Sequence, residues 1–331
     1  MPRLAGSVDT LLDRTVAPGY SRLGLAVRRH LPSWPAALPR MDGRTVLITG
    51  PTSGIGEAAA QELALLGARV VLLARNLDKA ADTQARIQRA VTAAGGDRTA
   101  DLAVVRCDVS SLASVRDAVA QLEEQDERVD VLVHNAGAMP SERTVTDEGL
   151  ELAFATNVLG PFLLTALLEK RLRAAAPARV ITVSSGGMYA QKLDADDLQH
   201  AHHAYSPPAV YARDKRVQVV LNEQWAERLA GTGVTIHTMH PGWADTPGVQ
   251  DALPGFRRIT RRVLRSPAEG ADTIVWLAAA DAPQRISGGF WHDRRERPTH
   301  YVPWTREDPA DRRRVWDACE RLAGVQVPAA A

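Results

Sequence analysis

The stretch 45–68, T-V-L-I-T-G-P-T-S-G-I-G-E-A-A-A-Q-E-L-A-L-L-G-A, constrains this chain more than any other. Val46, Leu47 and Ile48 form a short apolar run with β-branched members, as a strand buried on both faces requires. Gly50, Gly54 and Gly56 follow, and an alanine-rich helical pattern begins at once. Glycine lets the backbone turn sharply and approach a ligand. A helix N-terminus offers free N–H groups and the positive end of its dipole to a phosphate. The spacing is G-x-x-x-G-x-G, not the commoner G-x-G-x-x-G, and glycines alone would fit an ordinary β–α turn. The strand–turn–helix context, with a second strand at 69–74, reads as the pyrophosphate site of a dinucleotide cofactor. Gly50, Thr52, Ser53, Gly54, Ile55 and Gly56 surround that site.

From residue 45 onward strands and helices alternate. Strand patterns fall at 46–49, 70–74, 102–107, 129–134, 180–184 and 234–239, and helical patterns at 56–66, 79–94, 112–124, 150–173 and 210–230. A helix near 268–280, a strand near 289–291 and a surface helix at 308–322 follow. This rhythm predicts the α/β class: a single Rossmann-type, doubly wound parallel sheet of about seven strands with helices on both faces. The expected strand order is 3-2-1-4-5-6-7. Ligands bind beyond the C-terminal ends of such strands. Six loops bring polar residues to that rim: 49–56, Arg75, Asp108, 135–137, Ser184 with Ser185, and 241–246. The expected organisation is an amphipathic helical extension at 1–40, a catalytic domain at 41–305, and a C-terminal helix and tail at 306–331.

A net charge of +1 over 331 residues gives no global attraction to nucleic acid. No uninterrupted apolar run reaches the ~18 residues of a membrane span. Cys107 and Cys319 suit neither a disulfide framework nor a zinc site, so they read as reduced thiols of a cytoplasmic protein without a secretory signal. Residues 1–40 carry six arginines against two aspartates and close on Pro32, Pro35 and Pro39. Val8, Leu11, Leu12, Thr15 and Val16 fit one helical face, and Leu23, Val27 and Leu31 a second. Two readings compete: a pair of helices packed on the main domain, or a basic amphipathic segment in peripheral contact with a membrane. A homodimer is left open.

Tyr211 and Lys215 stand four apart in Y-A-R-D-K at the start of a helical pattern, in a chain with only four lysines. An i,i+4 pair shares one helical face, so the ammonium can lie near the phenol. A nearby cation favours phenolate and lowers a tyrosine pKa from about 10. Such a tyrosine can exchange a proton with an alcohol or carbonyl oxygen. A surface cation–tyrosine pair is the plainer alternative.

With T-G-P-T-S-G-I-G, H-N-A-G, the asparagine of T-N-V-L-G, V-S-S and Y-x-x-x-K in that order, the sequence resembles the short-chain dehydrogenase/reductases from Arg44 to about Trp291. V-I-T-V-S-S-G-G-M, the stretch 210–225 and M-H-P-G-W-A-D-T-P-G-V resemble more narrowly the orphan group called dehydrogenase/reductase family member twelve. The resemblance implies an NAD(P)-dependent oxidoreductase acting on carbonyl or alcohol groups. It implies Tyr211 as catalytic acid/base and Lys215 as holder of the nicotinamide ribose that also lowers the tyrosine pKa. Ser185, with Ser184 as fallback, would bind the substrate carbonyl, and Asn157 would support a proton relay and its helix. Asn135, Ala136 and Gly137 would line the cofactor cleft, Asp108 with Val109 would meet the adenine, and Pro241, Gly242 and Thr246 the nicotinamide end. His134 replaces a frequent family asparagine and reads as a packed strand-end histidine.

At the end of the second strand the chain reads Leu73-Ala74-Arg75-Asn76, without the carboxylate that selects NAD. Arg75 can pair with a 2′-phosphate, which predicts NADP(H) as the preferred cofactor with NAD(H) also usable. Met139, Ser185, Met188 and Trp243 are the expected substrate lining, and the resemblance implies a lid at 249–256, including Leu253. Few charges lie among them, which predicts a lipophilic ketone, aldehyde or alcohol. Asp194, Asp196, Asp197, His200, His202 and His203 match no usual metal spacing and read as a solvated loop, as does 293–297; no metal is expected. The competing functions are a catalytically silent cofactor-binding regulator or scaffold, and an epimerase or dehydratase for which Arg257, Arg258, Arg261 and Arg262 leave room.

Overall fold

The computed structural model describes residues 2–32, 34, 38–95, 99–246, 248, 250 and 254–328. Three helices, α1 (Pro2–Arg14), α2 (Val16–Tyr20) and α3 (Arg22–Arg29), precede the alternating part of the chain. That part begins with β1 (Thr45–Thr49), α4 (Gly54–Leu65), β2 (Arg69–Ala74), α5 (Leu77–Gly95), β3 (Leu102–Arg106), α6 (Leu112–Glu124) and β4 (Val131–His134). It continues through α7 (Leu152–Phe154), α8 (Gly160–Ala174), β5 (Ala178–Val183), α9 (Pro207–Arg228) and β6 (Val234–Met239). The last elements are α10 (Pro254–Thr260), α11 (Pro267–Ala279), β7 (Gly289–His292), β8 (Arg295–Arg297) and α12 (Pro309–Ala323).

The strands form one sheet in the order β3-β2-β1-β4-β5-β6-β7-β8, parallel throughout except for the last pair. The expected order of seven strands holds, and an eighth, antiparallel edge strand is added to it. Every residue of β1, β4, β5 and β6 is buried, because helices cover both faces. One face packs Leu47, Val71, Leu132, Phe154, Val220 and Trp225 beneath α6, α8, α9 and α12. The other packs Val46, Ile48, Leu63, Ile87, Ile274 and Trp291 beneath α4, α5 and α11. Each such buried side chain stabilises the fold by about 1.5–3 kcal/mol. The segment 152–174 is long and apolar enough to cross a membrane, yet Phe154, Leu159, Leu163, Leu164, Leu168 and Leu172 are buried in the core. It is also not the unbroken helix that its apolar pattern predicts. A π turn at Ala155–Leu159 separates α7 from α8, and Asn157 lies at its middle.

The run 293–297 is not a solvated loop. Asp293 and Arg294, at φ 52° and 58°, are the two central residues of a hairpin joining β7 to β8. Asp293 is 2% exposed and takes hydrogen bonds from Arg28 and Arg265, each at 2.6 Å. A buried carboxylate needs such partners, and here they come from α3 and from the segment before α11. An Asp-Arg turn lacks the glycine or asparagine that signals a hairpin in sequence, so charge alone dominates the pattern.

The extension comprises three helices instead of two, and they pack on the domain with part of the apolar pattern turned outward. Leu11 is 65% exposed and Leu23 60%, with Val16 and Val27 also exposed. The side facing the domain carries Asp9, Asp13, Tyr20, Leu25 and Arg28, all buried. The reason is the surface beneath, which presents charge. Asp9 binds Arg28 at 2.9 Å, Arg297 at 2.8 and 2.9 Å, and Arg295 at 2.9 Å. Burial would raise the Asp9 carboxyl, but hydrogen bonds and charge from Arg297 and Arg28 hold it at about 2. Pro35 lies outside the described residues.

Candidate active site

The turn after β1 and the loop after β4 are built against each other. Gly50 has φ +64°, and a Cβ at Gly56 would overlap both Gly50 O and Asn135 Nδ2. Asn135 Nδ2 donates to Thr49 O at 3.0 Å and Gly50 O at 3.1 Å, while Thr49 Oγ1 accepts from the amides of Asn135 and Ala136. These contacts hold the glycine turn open at the N-terminus of α4. Ser53, at the N-cap, bonds none of the first-turn amides with its side chain. The turn therefore keeps the backbone donors and shape that fit a pyrophosphate. Thr52, Gly54 and Ile55 are half-buried and Ser53 is exposed.

Arg75 is exposed just beyond β2. Beyond β3, Asp108 is half-buried and its Oδ1 accepts from Ser110 N and Oγ, whereas Val109 is buried. Gly137 is exposed at the rim, and Met139 beyond it is half-buried. A Cβ on Gly137 would lie 3.4 Å from Asn157 Oδ1 and 3.8 Å from Lys215 Nζ. The β4 loop, the π turn and α9 thus converge at one place.

Asn157 Oδ1 accepts from Ala138 N at 2.8 Å, and its Nδ2 donates to Ala138 O at 2.9 Å and Asp214 Oδ2 at 2.8 Å. Lys215 is 2% exposed, and its Nζ donates to Val183 O at 2.8 Å while lying 5.0 Å from the Tyr211 ring centroid. Burial, then the Asp214 carboxylate, push the Tyr211 phenol up to about 12. Burial pulls Lys215 down to about 8, with Asp214 acting in the other direction. The expected depression of the tyrosine by the lysine is absent. The ammonium sits over the ring and bonds a strand carbonyl, so it stabilises the phenolate too little to offset desolvation.

The two serines separate clearly. Ser184 is buried and its Oγ donates to Lys215 O at 2.9 Å. Ser185 is half-buried, and its Oγ accepts from Gly187 N at 3.2 Å at the start of a short turn, Gly186–Ala190. Met188, in that turn, packs with Val219 and Phe290 and is fully buried. Its side chain is packed into the interior and is not presented to the rim as the expected substrate lining would be. His134 is buried with Nε2 2.8 Å from Thr165 Oγ1, and burial pushes it down to about 3.

On the sixth-strand loop, Pro241, Trp243 and Thr246 are half-buried and Gly242 is buried. Trp243 N donates to Tyr20 O at 2.8 Å, and the two rings meet edge-on at 6.2 Å. A Cβ on Gly186 would overlap the Tyr20 ring. The extension therefore supports two loops of the rim, a role for Tyr20 that no spacing in the sequence announces. Val249 and Leu253 of the expected lid lie outside the described residues. The insertion between β5 and α9 is only partly solvated, since Asp197 and His200 are each 4% exposed. Asp197 accepts from the amides of Ala201 and His202, which fixes the loop from within. Asp194, Asp197 and His203 bring one donor atom each within 4.8 Å of one another. Asp214 is a further residue of the site, and its place beside Lys215 in Y-A-R-D-K is its signal in the sequence.

The short chain dehydrogenase family model matches residues 44–255. The chain is 42% identical over 286 residues to dehydrogenase/reductase SDR family member 12 of Bos taurus, covering 86% of this chain and 87% of that protein. It is 34% identical over 295 residues to retinol dehydrogenase 14 of Mus musculus, covering 86% and 87%. The Pseudomonas aeruginosa RhlG/NADP active-site complex superposes with a TM-score of 0.61 at 26% identity, over 76% of this chain and 94% of that one. With its parallel sheet, glycine turn and Tyr211–Lys215 pair, the chain belongs to the short-chain dehydrogenase family, close to dehydrogenase/reductase SDR family member 12, as an NAD(P)-dependent oxidoreductase acting on alcohol and carbonyl groups.

Proposed function

We propose that this enzyme interconverts a lipophilic ketone or aldehyde and its alcohol, with NADP(H) preferred and Tyr211 as acid/base. The observation that carries this reading is the Tyr211–Lys215 pair on the rim, tied through Val183 O to β5 and, by way of Asp214, to Asn157. A bound nicotinamide supplies hydride to the carbonyl carbon or takes it from the carbinol carbon. Tyr211 Oη gives the proton to the oxygen in reduction and receives it in oxidation. Ser185 is assigned the hydrogen bond to that oxygen, because Ser184 is buried against Lys215 O. Gly50, Thr52, Ser53, Gly54, Ile55 and Gly56 would hold the pyrophosphate, and Asp108, Val109, Asn135, Ala136, Gly137, Pro241, Gly242 and Thr246 would border the rest of the cofactor.

Arg75 supports the preference for NADP(H). It is exposed, and among the described residues no carboxylate pairs with it. The NADP in the Pseudomonas complex is consistent with that choice. Met139 and Trp243 supply apolar walls, and retinol, in the mouse relative's name, is a lipophilic alcohol. A homologous series of aliphatic aldehydes tests both parts with each cofactor. Catalytic efficiency should rise with chain length and then level off, NADPH should outperform NADH, and Arg75→Asp should reverse that ranking. A flat series, or wild-type preference for NADH, contradicts the corresponding part.

Peripheral contact with an anionic membrane is a second element of the proposal. The outward side of the extension carries Leu11, Val16, Leu23 and Val27, and the exposed charged residues among the described side chains of α1, α2 and α3 are Arg14, Arg22 and Arg29. Its two aspartates face inward. Apolar side chains ringed by cations suit an acidic lipid surface. The protein should sediment with phosphatidylglycerol-containing vesicles, and Leu11→Asp with Leu23→Asp should release it. Equal recovery with and without vesicles would end this reading.

A further inference from the structure

Asp214 is the buried charge at the rim that the reaction scheme leaves without a task. It is 1% exposed, on α9, directly before Lys215. Its Oδ2 accepts from Asn157 Nδ2 at 2.8 Å, and its Oδ1 lies 2.9 Å from His200 Nε2. His200 comes from the insertion between β5 and α9, is itself 4% exposed, and holds a left-handed φ of 51°. Four segments, the insertion, α9, the π turn and the β4 loop, therefore meet in one chain of hydrogen bonds, His200–Asp214–Asn157–Ala138. A buried carboxylate without a guanidinium partner is costly to retain by packing alone.

We propose that Asp214, clamped by His200, is a positioning residue of the catalytic centre: it orients the Asn157 amide and places a fixed negative charge beside Lys215. The proposal rests on the assignment of Tyr211 and Lys215 above. It gives the insertion a function, since the loop delivers the imidazole that holds the carboxylate. The ionisable groups facing Asp214 are Tyr211 and Lys215 on its own helix and His200 and Tyr205 from the insertion. Glu151 stands behind Tyr205, whose Oη donates to it at 3.2 Å. Asp214 opposes deprotonation of both Lys215 and Tyr211, so removing its charge lowers the pH at which each loses its proton.

Asp214→Asn keeps the shape and removes the charge. The chain has only four lysines, so selective 13C labelling of the lysine ε-carbons gives four signals to titrate, independent of turnover. The Lys215 signal, identified by its loss in Lys215→Arg, should titrate about one pH unit lower in Asp214→Asn than in wild type. The alkaline limb of kcat/KM for NADPH-dependent octanal reduction should move the same way. His200→Ala, which keeps the charge but frees the carboxylate, should lower kcat about tenfold with NADPH binding unchanged, and it serves if Asp214→Asn does not fold. An unmoved Lys215 titration with wild-type kcat in His200→Ala would overturn the proposal. Failure of the Tyr211 assignment would instead show as turnover in Tyr211→Phe, which leaves the lysine titration intact.

Discussion

Lys215 at the rim and Asp293 at the seam beneath the extension are both buried ions, but their surroundings differ in kind. Lys215 donates to one strand carbonyl and faces a phenol ring, and burial pulls it down to about 8. Asp293 receives a guanidinium from each side, and Arg265 reaches both of its oxygens, at 2.6 and 2.9 Å. Burial would raise its carboxyl, yet His292, Arg265 and Arg28 together hold it far below the usual carboxylate range. Under-compensated charge keeps ionisation within reach of working pH, where protons can be exchanged. Fully paired charge removes ionisation from that range and holds two parts of the chain together. The first region is suited to chemistry and the second to assembly.

The largest effect expected from this contrast is at the seam. Asp293→Ala leaves Arg28 and Arg265 buried without their shared partner, which should cost about 3–5 kcal/mol in denaturant unfolding. A loss below ~1 kcal/mol would mean that the arginines find other partners, and the contrast with the rim would weaken. Acid should act on the same seam more gently. The Asp9 carboxyl is held at about 2, against 3.8 ordinarily, so its contribution is present above the ordinary value and is lost as pH falls through about 2. The stability advantage of wild type over Asp9→Asn should thus be full near pH ~5 and shrink below pH ~3. A difference that stays constant across that range would contradict the pairing.

The two regions were also unequally legible in the sequence. At the rim, the glycine turn and the Tyr211–Lys215 pair carry their meaning in local spacing, while the roles of Asn135 and Asn157 are legible only through the family resemblance. Met188 packs against Val219 and Phe290 instead of facing the rim, and spacing cannot report that. Asp214 and His200 lie 14 residues apart across an irregular loop, so no periodicity links them. At the seam, Arg28 and Asp293 are 265 residues apart, and apolar periodicity left open which side of the extension meets the domain. Leu11 and Leu23 follow a helical rhythm as core residues do. The surface beneath them carries Arg265, Asp293 and Arg297, and pairing those charges decides which side turns inward.

Tyr211 is the group proposed to move the proton. Tyr211→Phe removes only the phenolic oxygen, so the decisive measurement is its turnover beside its NADPH affinity, with the best aldehyde of the homologous series as substrate. The expected result is a fall in kcat of ~10²–10⁴-fold with the NADPH dissociation constant within about twofold of wild type. Turnover within about tenfold of wild type, with cofactor still bound, would take the acid/base role away from Tyr211.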